Sequence, residues 1–240
     1  MGIEEERRYL VDRAVCDALL DALSGRLRPE IRHEAWPFAF VRTTYLDTDA
    51  WDLLCSREGA ARRRVRLRQY GFAATEEAKP IFDGLAFLEL KRSLGRRRKK
   101  VRLQAHATDL AHLLETRLER PRALARRLEG LRPFWPILGD LREGVLRPRV
   151  TTLYRRTSFI DAVGGVRVTV DEAIAAYRPA ALDLPLVEEQ RFLAVRGPVI
   201  EVKYHPPCPR WLRGQLASLP EVVDFSKFKM AAEALRPHGA

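Results

Sequence analysis

The chain has 240 residues, 46% hydrophobic and 31% charged, which suits a single α+β domain with a sizeable core. Its 43 Lys and Arg exceed its 32 Asp and Glu, for a net charge of +11. That charge points to an anionic partner: nucleic acid, an anionic membrane or a phosphorylated metabolite. With no basic-then-apolar leader and no apolar run near the ~20 residues of a membrane span, a soluble cytoplasmic protein is expected, and a membrane-bound partner is compatible with it.

Residues 3–11 set Glu4, Glu6 and Arg8 against Ile3 and Tyr9, the pattern of a first strand. Asp12 is placed to cap a helix running to about Ser24, with Val15, Leu19 and Leu23 on its apolar face and Gly25 as its stop. A strand over 39–47 follows, and Asp49 is expected to cap a short helix through Trp51, Leu53 and Leu54. Next come an arginine-rich strand (62–70) and a strand over 86–92, from which a loop at Gly95 turns into Lys99–Leu103 to make a hairpin. Thr108 to Leu131 reads as helical with a break at Pro121, and Pro133, Pro136 and Pro148 punctuate the crossing into the second half. That half holds strands at 149–160, 165–171 and 199–203, then helices at about 208–218 and 226–236, the last capped by Ser226. No low-complexity segment or long linker divides the chain, so one domain over 1–240 is expected.

The chemistry sits in charges buried within strands. Phe87-Leu88-Glu89-Leu90-Lys91 and Val199-Ile200-Glu201-Val202-Lys203 each put a Glu and a Lys on one face and aliphatic residues on the other. Arg62, Arg64, Arg66 and Arg68 line one face of a third strand, about 7 Å apart, where they repel one another unless an anion neutralises them. Arginine forks match phosphate oxygens, and no aromatic ladder for stacking bases accompanies them, so phosphate is favoured over nucleic acid. Strands charged on one side and apolar on the other suggest a barrel with helices outside and a charged bore, suited to an extended polyanion and its metal ion. Glu6, Glu89, Asp171 and Glu201 are the candidate oxygen ligands for a hard divalent cation, with Glu201 first because its strand is the most apolar. Pairing with the neighbouring Arg and Lys is an equal reading for each.

Other chemistries find no support. The cysteines Cys16, Cys55 and Cys208 form no C-x-x-C pair and read as reduced thiols. The five histidines show no ligand spacing with them, and there is no serine nucleophile motif or phosphate-cradling glycine loop.

Eight segments in order resemble the catalytic domain of the vacuolar transporter chaperone (VTC) polyphosphate polymerases, of the triphosphate tunnel metalloenzyme superfamily. They are Glu6-Arg7-Arg8-Tyr9, Thr44-Tyr45-Leu46-Asp47-Thr48, Arg64 to Gly71, Leu88-Glu89-Leu90-Lys91, Tyr154 to Phe159, Arg167 to Asp171, Ile200 to Tyr204 and Phe225-Ser226-Lys227-Phe228. The resemblance implies a closed antiparallel eight-stranded β-tunnel that binds a triphosphate with Mn²⁺ or Mg²⁺. It implies Arg8, Arg66, Arg68, Lys91, Arg156 and Lys227 on phosphates and Glu201 on the metal. Arg64, Lys100, Arg102, Arg167 and Lys203 are further expected phosphate contacts, and Glu89 a second metal ligand. Arg8 and Arg64 stand where the family usually has lysine, which keeps the charge and changes the fork geometry. The implied activity is transfer of the ATP γ-phosphoryl group onto polyphosphate. The alternatives are a tunnel triphosphatase and a non-catalytic module binding polyphosphate or inositol phosphates.

Overall fold

The computed structural model describes residues 4–31, 33–55, 62–94, 97–110, 145–163, 165–179 and 186–235. Its strands are β1 (Glu5–Leu10), β2 (Leu27–Pro29), β3 (Phe38–Asp47), β4 (Arg62–Ala73), β5 (Ile81–Phe82) and β6 (Leu85–Leu94), then β7 (Arg97–His106), β8 (Arg147–Asp161), β9 (Val166–Tyr177), β10 (Phe192–Leu193) and β11 (Val199–Tyr204). Helices α1 (Arg13–Leu23), α2 (Arg210–Leu216) and α3 (Lys227–Leu235) accompany them. Eight strands form one antiparallel path, β1-β11-β9-β8-β3-β4-β6-β7, while β2, β5 and β10 extend it beside β8, β4 and β9. The path curls until side chains of its two outer strands, Arg8 of β1 and Lys100 of β7, line the same cavity. Among the described residues no hydrogen-bonded pairing joins β1 to β7, so the tunnel keeps one seam.

Period-two alternation builds the two faces. Val65, Leu67, Leu88, Leu90 and Leu103 point outward into one buried apolar cluster. Val168, Val170, Ile200 and Val202 point outward into a second, where Cys16, Leu19 and Leu23 of α1 and Leu212 of α2 cover them. The charged partners of these residues are thereby committed to the inner face. α1 begins as its sequence requires: the Asp12 carboxylate accepts the Val15 amide at 2.8 Å. α3 is capped by Ser226, whose hydroxyl accepts the Lys229 amide.

Unlike α1 and α2, α3 packs into one end of the concave face. Its Phe228 stacks on Tyr45 with ring centroids 4.5 Å apart, and Val150, Ile174 and Val199 complete that apolar end. β9 accordingly outruns its expected end at residue 171. A kink at Ala173, which has φ +50°, resets the alternation so that Ile174 and Ala176 face α3.

The short helix expected at Asp49 to Leu54 is corrected to a turn. Trp51 adopts φ +62°, which breaks any right-handed helix. The organiser is Asp47, whose buried carboxylate accepts the amides of Thr48, Leu53 and Leu54. The helix expected over 108–131 and the loop at Gly95 lie outside the described residues, apart from a helical start at 107–110.

Candidate functional site

The inner face holds a cavity of about 150 Å³ lined, among the described residues, by nine cationic side chains and two carboxylates. β4 supplies Arg64, Arg66 and Arg68, β6 supplies Lys91, and β7 supplies Lys100. Arg8, Arg156, Lys203 and Lys227 face them from β1, β8, β11 and the start of α3. Eleven sequence-expected phosphate contacts therefore divide: nine line this cavity, and two do not. Arg102 lies beside it on β7, over the Phe87 ring at 4.4 Å and hydrogen-bonded to Glu89. Arg167 sits half-exposed at the tunnel mouth, paired with Glu30 at 2.8 Å.

Strand register explains the electrostatics. Arg66 lies across from Glu89, and Glu89 from Arg102. Arg8 lies across from Glu201, Glu6 from Lys203, and Arg156 from Asp171. Opposite charges facing each other across a ladder stabilise the pairing. One row breaks this rule: Arg64, Lys91 and Lys100 lie side by side across three consecutive strands. Lys100 is compensated by Glu89 at 2.7 Å, and the row as a whole forms a continuous cationic strip across three strands along which an anion can lie.

Four carboxylates organise the cations. Glu89 is wholly buried, with Arg66 on one oxygen at 2.7 Å and Lys100 and Arg102 on the other at 2.7 and 2.6 Å. Asp171 is likewise buried, clasped by both forks of Arg156 at 2.6 and 2.7 Å and by Lys227 at 2.7 Å. Glu6 and Glu201 reach the cavity surface, and both are bridged by Arg8 and Lys203. Burial alone would raise the Glu89 carboxyl, but Arg66, Arg68 and Lys100 outweigh it and hold it far below the usual range. Asp171 is lowered in the same way by Lys227 and Arg156 against its burial, and Glu201 by Lys203, Lys227 and Arg156.

These depressed carboxyls fix an acid limit. A carboxyl lowered on folding contributes stability that is complete above its unfolded value, 4.5 for Glu and 3.8 for Asp, and lost as pH falls toward the folded one. The melting temperature is therefore expected to hold from neutrality down to about pH 5 and to fall steeply below about pH 4. Thermal melts across that range check it; a flat profile to pH 3 would contradict the ion-pair assignment.

Sequence reasoning missed the hydroxyls and rings that seat the arginines. Arg68, buried, donates to Thr43 at 3.3 Å. Tyr70 is raised by burial, but Arg68 and Arg102 prevail and bring its hydroxyl down to about 8. The Lys227 ammonium lies over the Tyr154 ring at 5.2 Å and the Phe225 ring at 5.5 Å. A signal for Tyr70 was present, since it continues the period-two run Arg64, Arg66, Arg68. The N-terminus of α3, at Ser226 and Lys227, adds the positive end of a helix to the cavity.

For a divalent cation the four carboxylates are not equivalent. Glu89 and Asp171 are themselves wholly buried behind the cations that occupy both oxygens of each, and neither lines the cavity. Glu6 and Glu201 stand together at the cavity surface, and one or two carboxylates completed by substrate phosphates and water is the usual setting for Mg²⁺. Among the described residues no group of three or more His, Cys, Asp or Glu forms a self-sufficient metal cage.

A curled antiparallel sheet with α1 and α2 outside, α3 in one end and a cation-lined interior defines a tunnel-like fold. Two solved structures share the fold. HpAC1 of Hippeastrum, a proposed adenylyl cyclase described as having a dominant triphosphatase activity, is 16% identical with a TM-score of 0.53, over 99% of this chain and 98% of that one. A proposed adenylate cyclase of Bacillus halodurans is 15% identical with a TM-score of 0.52, over 95% of this chain and 98% of that one. By sequence no curated protein matches. The family model describing the VTC domain matches residues 4–236, and the chain belongs to that family. No helix among the described residues is long and apolar enough to cross a membrane.

Proposed function

We propose that the protein is a polyphosphate polymerase, transferring the γ-phosphoryl group of ATP to the end of a polyphosphate chain held in the tunnel. The observation that supports it most is the cationic wall itself: the row of Arg64, Lys91 and Lys100 lies beside Arg66 and Arg68 in one cavity, a lining matched to a linear polyanion. Phosphoryl transfer asks chiefly for positioning and charge stabilisation. Arg66, Arg68, Lys91, Arg156 and Lys227 would hold the donor phosphates in line and take up charge on the transferring group. Arg8, Arg64, Lys100 and Lys203 would hold the acceptor chain, with Arg102 acting through Glu89 and Arg167 guiding the chain at the mouth. A terminal oxygen of the acceptor forms the new bond to the γ-phosphorus, the bond to the β–γ bridging oxygen breaks, and ADP leaves. Mn²⁺ or Mg²⁺, held by Glu201 with Glu6, would neutralise charge on the β and γ oxygens. Glu89, proposed from sequence as a second ligand, is better suited to holding Arg66, Lys100 and Arg102 in place.

The nucleophile separates this reading from hydrolysis. A phosphate oxygen is already anionic near neutrality, whereas water gains from a base with a pKa near the working pH. Glu201 in the cavity, and Glu89 and Asp171 behind it, are poor bases because their cationic neighbours hold them below the ordinary range. A tunnel triphosphatase is the second reading, favoured by the dominant triphosphatase activity named for HpAC1. Incubation with ATP and Mn²⁺ or Mg²⁺, followed by gel electrophoresis, is expected to show chains that lengthen with time. Orthophosphate without chains would transfer the conclusion to the triphosphatase, and tight binding without turnover to a sensor module.

A further inference from the structure

Beyond the cation cluster, the same strands change character. The inner face of β4 reads Arg64, Arg66, Arg68 and then Tyr70 and Phe72, three guanidinium groups followed by two rings. Opposite them β3 presents Val41 and Ala39, and β8 passes from Arg156 to Ser158. The segment after β2 folds over this end: the Glu30 amide donates to the Ser158 carbonyl at 2.7 Å. Its His33 stacks on Trp36 at 4.8 Å and leans on Phe72 at 5.3 Å. These pieces enclose a second cavity of about 380 Å³, which meets the first at Arg156.

We infer that this second cavity is a nucleoside subsite, receiving the base and ribose of a nucleoside triphosphate whose phosphates lie on the cation cluster. The inference rests on the phosphate-binding reading above and adds the organic part of the substrate. Charge is the first argument. Arg156 is the one cation in the lining among the described residues, while Glu30 and Glu34 contribute two carboxylates, so the balance of the first cavity is inverted. Glu30 is paired with Arg167 at the rim, so this lining offers a phosphate chain little of the first cavity's cationic surface, while its carboxylates can accept hydrogen bonds from ribose hydroxyls or an exocyclic amine. Shape and surface are the second. The volume falls in the range of small-molecule sites, the walls are mainly apolar, and Tyr70 and Phe72 supply ring surface against which a flat base can pack. Position is the third: the cavity continues the line of the arginines along β4, as base and ribose continue from a triphosphate.

The test compares ATP with inorganic tripolyphosphate by isothermal titration, on the wild type and on two variants. Ala39→Trp fills the cavity, and Phe72→Leu removes a ring while keeping apolar bulk. Each variant is expected to weaken ATP about tenfold or more, the scale of one lost base-stacking contact, with tripolyphosphate affinity held within about twofold. Retained tripolyphosphate binding also reports that the fold is intact. The subsite is overturned if both ligands weaken together in both variants, or if ATP is unaffected in both. If neither ligand binds the wild type, the phosphate-tunnel reading fails first and takes the subsite with it.

Discussion

Asp171→Asn is expected to destabilise the ligand-free protein by about 3–5 kcal/mol, the range for breaking a buried ion pair from one side. The carboxylate has no exposure, and the Arg156 and Lys227 side chains that clasp it are only 15% and 10% exposed. Asparagine keeps the shape but removes the charge, leaving two buried cations with no counterion between them. Lys227 also opens α3, so the helix that fills one end of the tunnel loses its anchor. In a chain of this size the melting temperature should fall by roughly 10 °C. Saturating tripolyphosphate should restore most of it, because ligand at 100 times its Kd contributes about 2.7 kcal/mol and supplies the anion that Asp171 provided. Melts with and without tripolyphosphate check both halves. A small loss, or one that the polyanion does not repair, would show that Asp171 is not the internal counterion of this site.

Part of this charge arrangement is legible in the sequence alone. Local charge patterns are: the period-two run Arg64-Arg66-Arg68 and the Glu89/Lys91 and Glu201/Lys203 pairs share the inner face, with Val65, Leu88 and Val202 opposite. Which cation neutralises which carboxylate is not legible. That depends on register between segments remote in sequence, such as Arg8 and Glu201, 193 positions apart. The metal candidates split for the same reason. Glu89 and Glu201 look alike in sequence, yet only Glu89 lies between two strands that both direct cations at it. The sequence placed a helix at about 226–236 with Ser226 as its cap, but not that its partner was the concave side of the sheet. Nor did residues 30, 31 and 33–37, with their Pro, His and Trp, announce that they close a cavity over Tyr70 and Phe72.

Arg68→Met is expected to produce a different signature from Asp171→Asn: turnover down by about 10²–10³-fold, the effect of removing one transition-state donor, with the ligand-free protein losing far less stability than Asp171→Asn does. Arg68 is buried, and its hydrogen bonds run to the hydroxyls of Thr43 and Tyr70, so its charge is less committed to a carboxylate than that of Arg66 or Arg156. Methionine fills the space of the side-chain stem and relieves repulsion within the cation cluster. Because the hydrogen-bond partners of Arg68 are hydroxyls, its removal does not strand a directly paired buried carboxylate, the step that makes breaking a buried ion pair costly. Arg68→Lys should fall between the two in turnover, keeping the charge but losing the planar fork that matches phosphate. Steady-state rates paired with melting temperatures distinguish the roles. If Arg68→Met melted as early as Asp171→Asn while turnover stayed near wild type, the inner arginines would be scaffolding. A site whose inner arginines serve the loaded state predicts the reverse, with turnover lost and ligand-free stability largely kept.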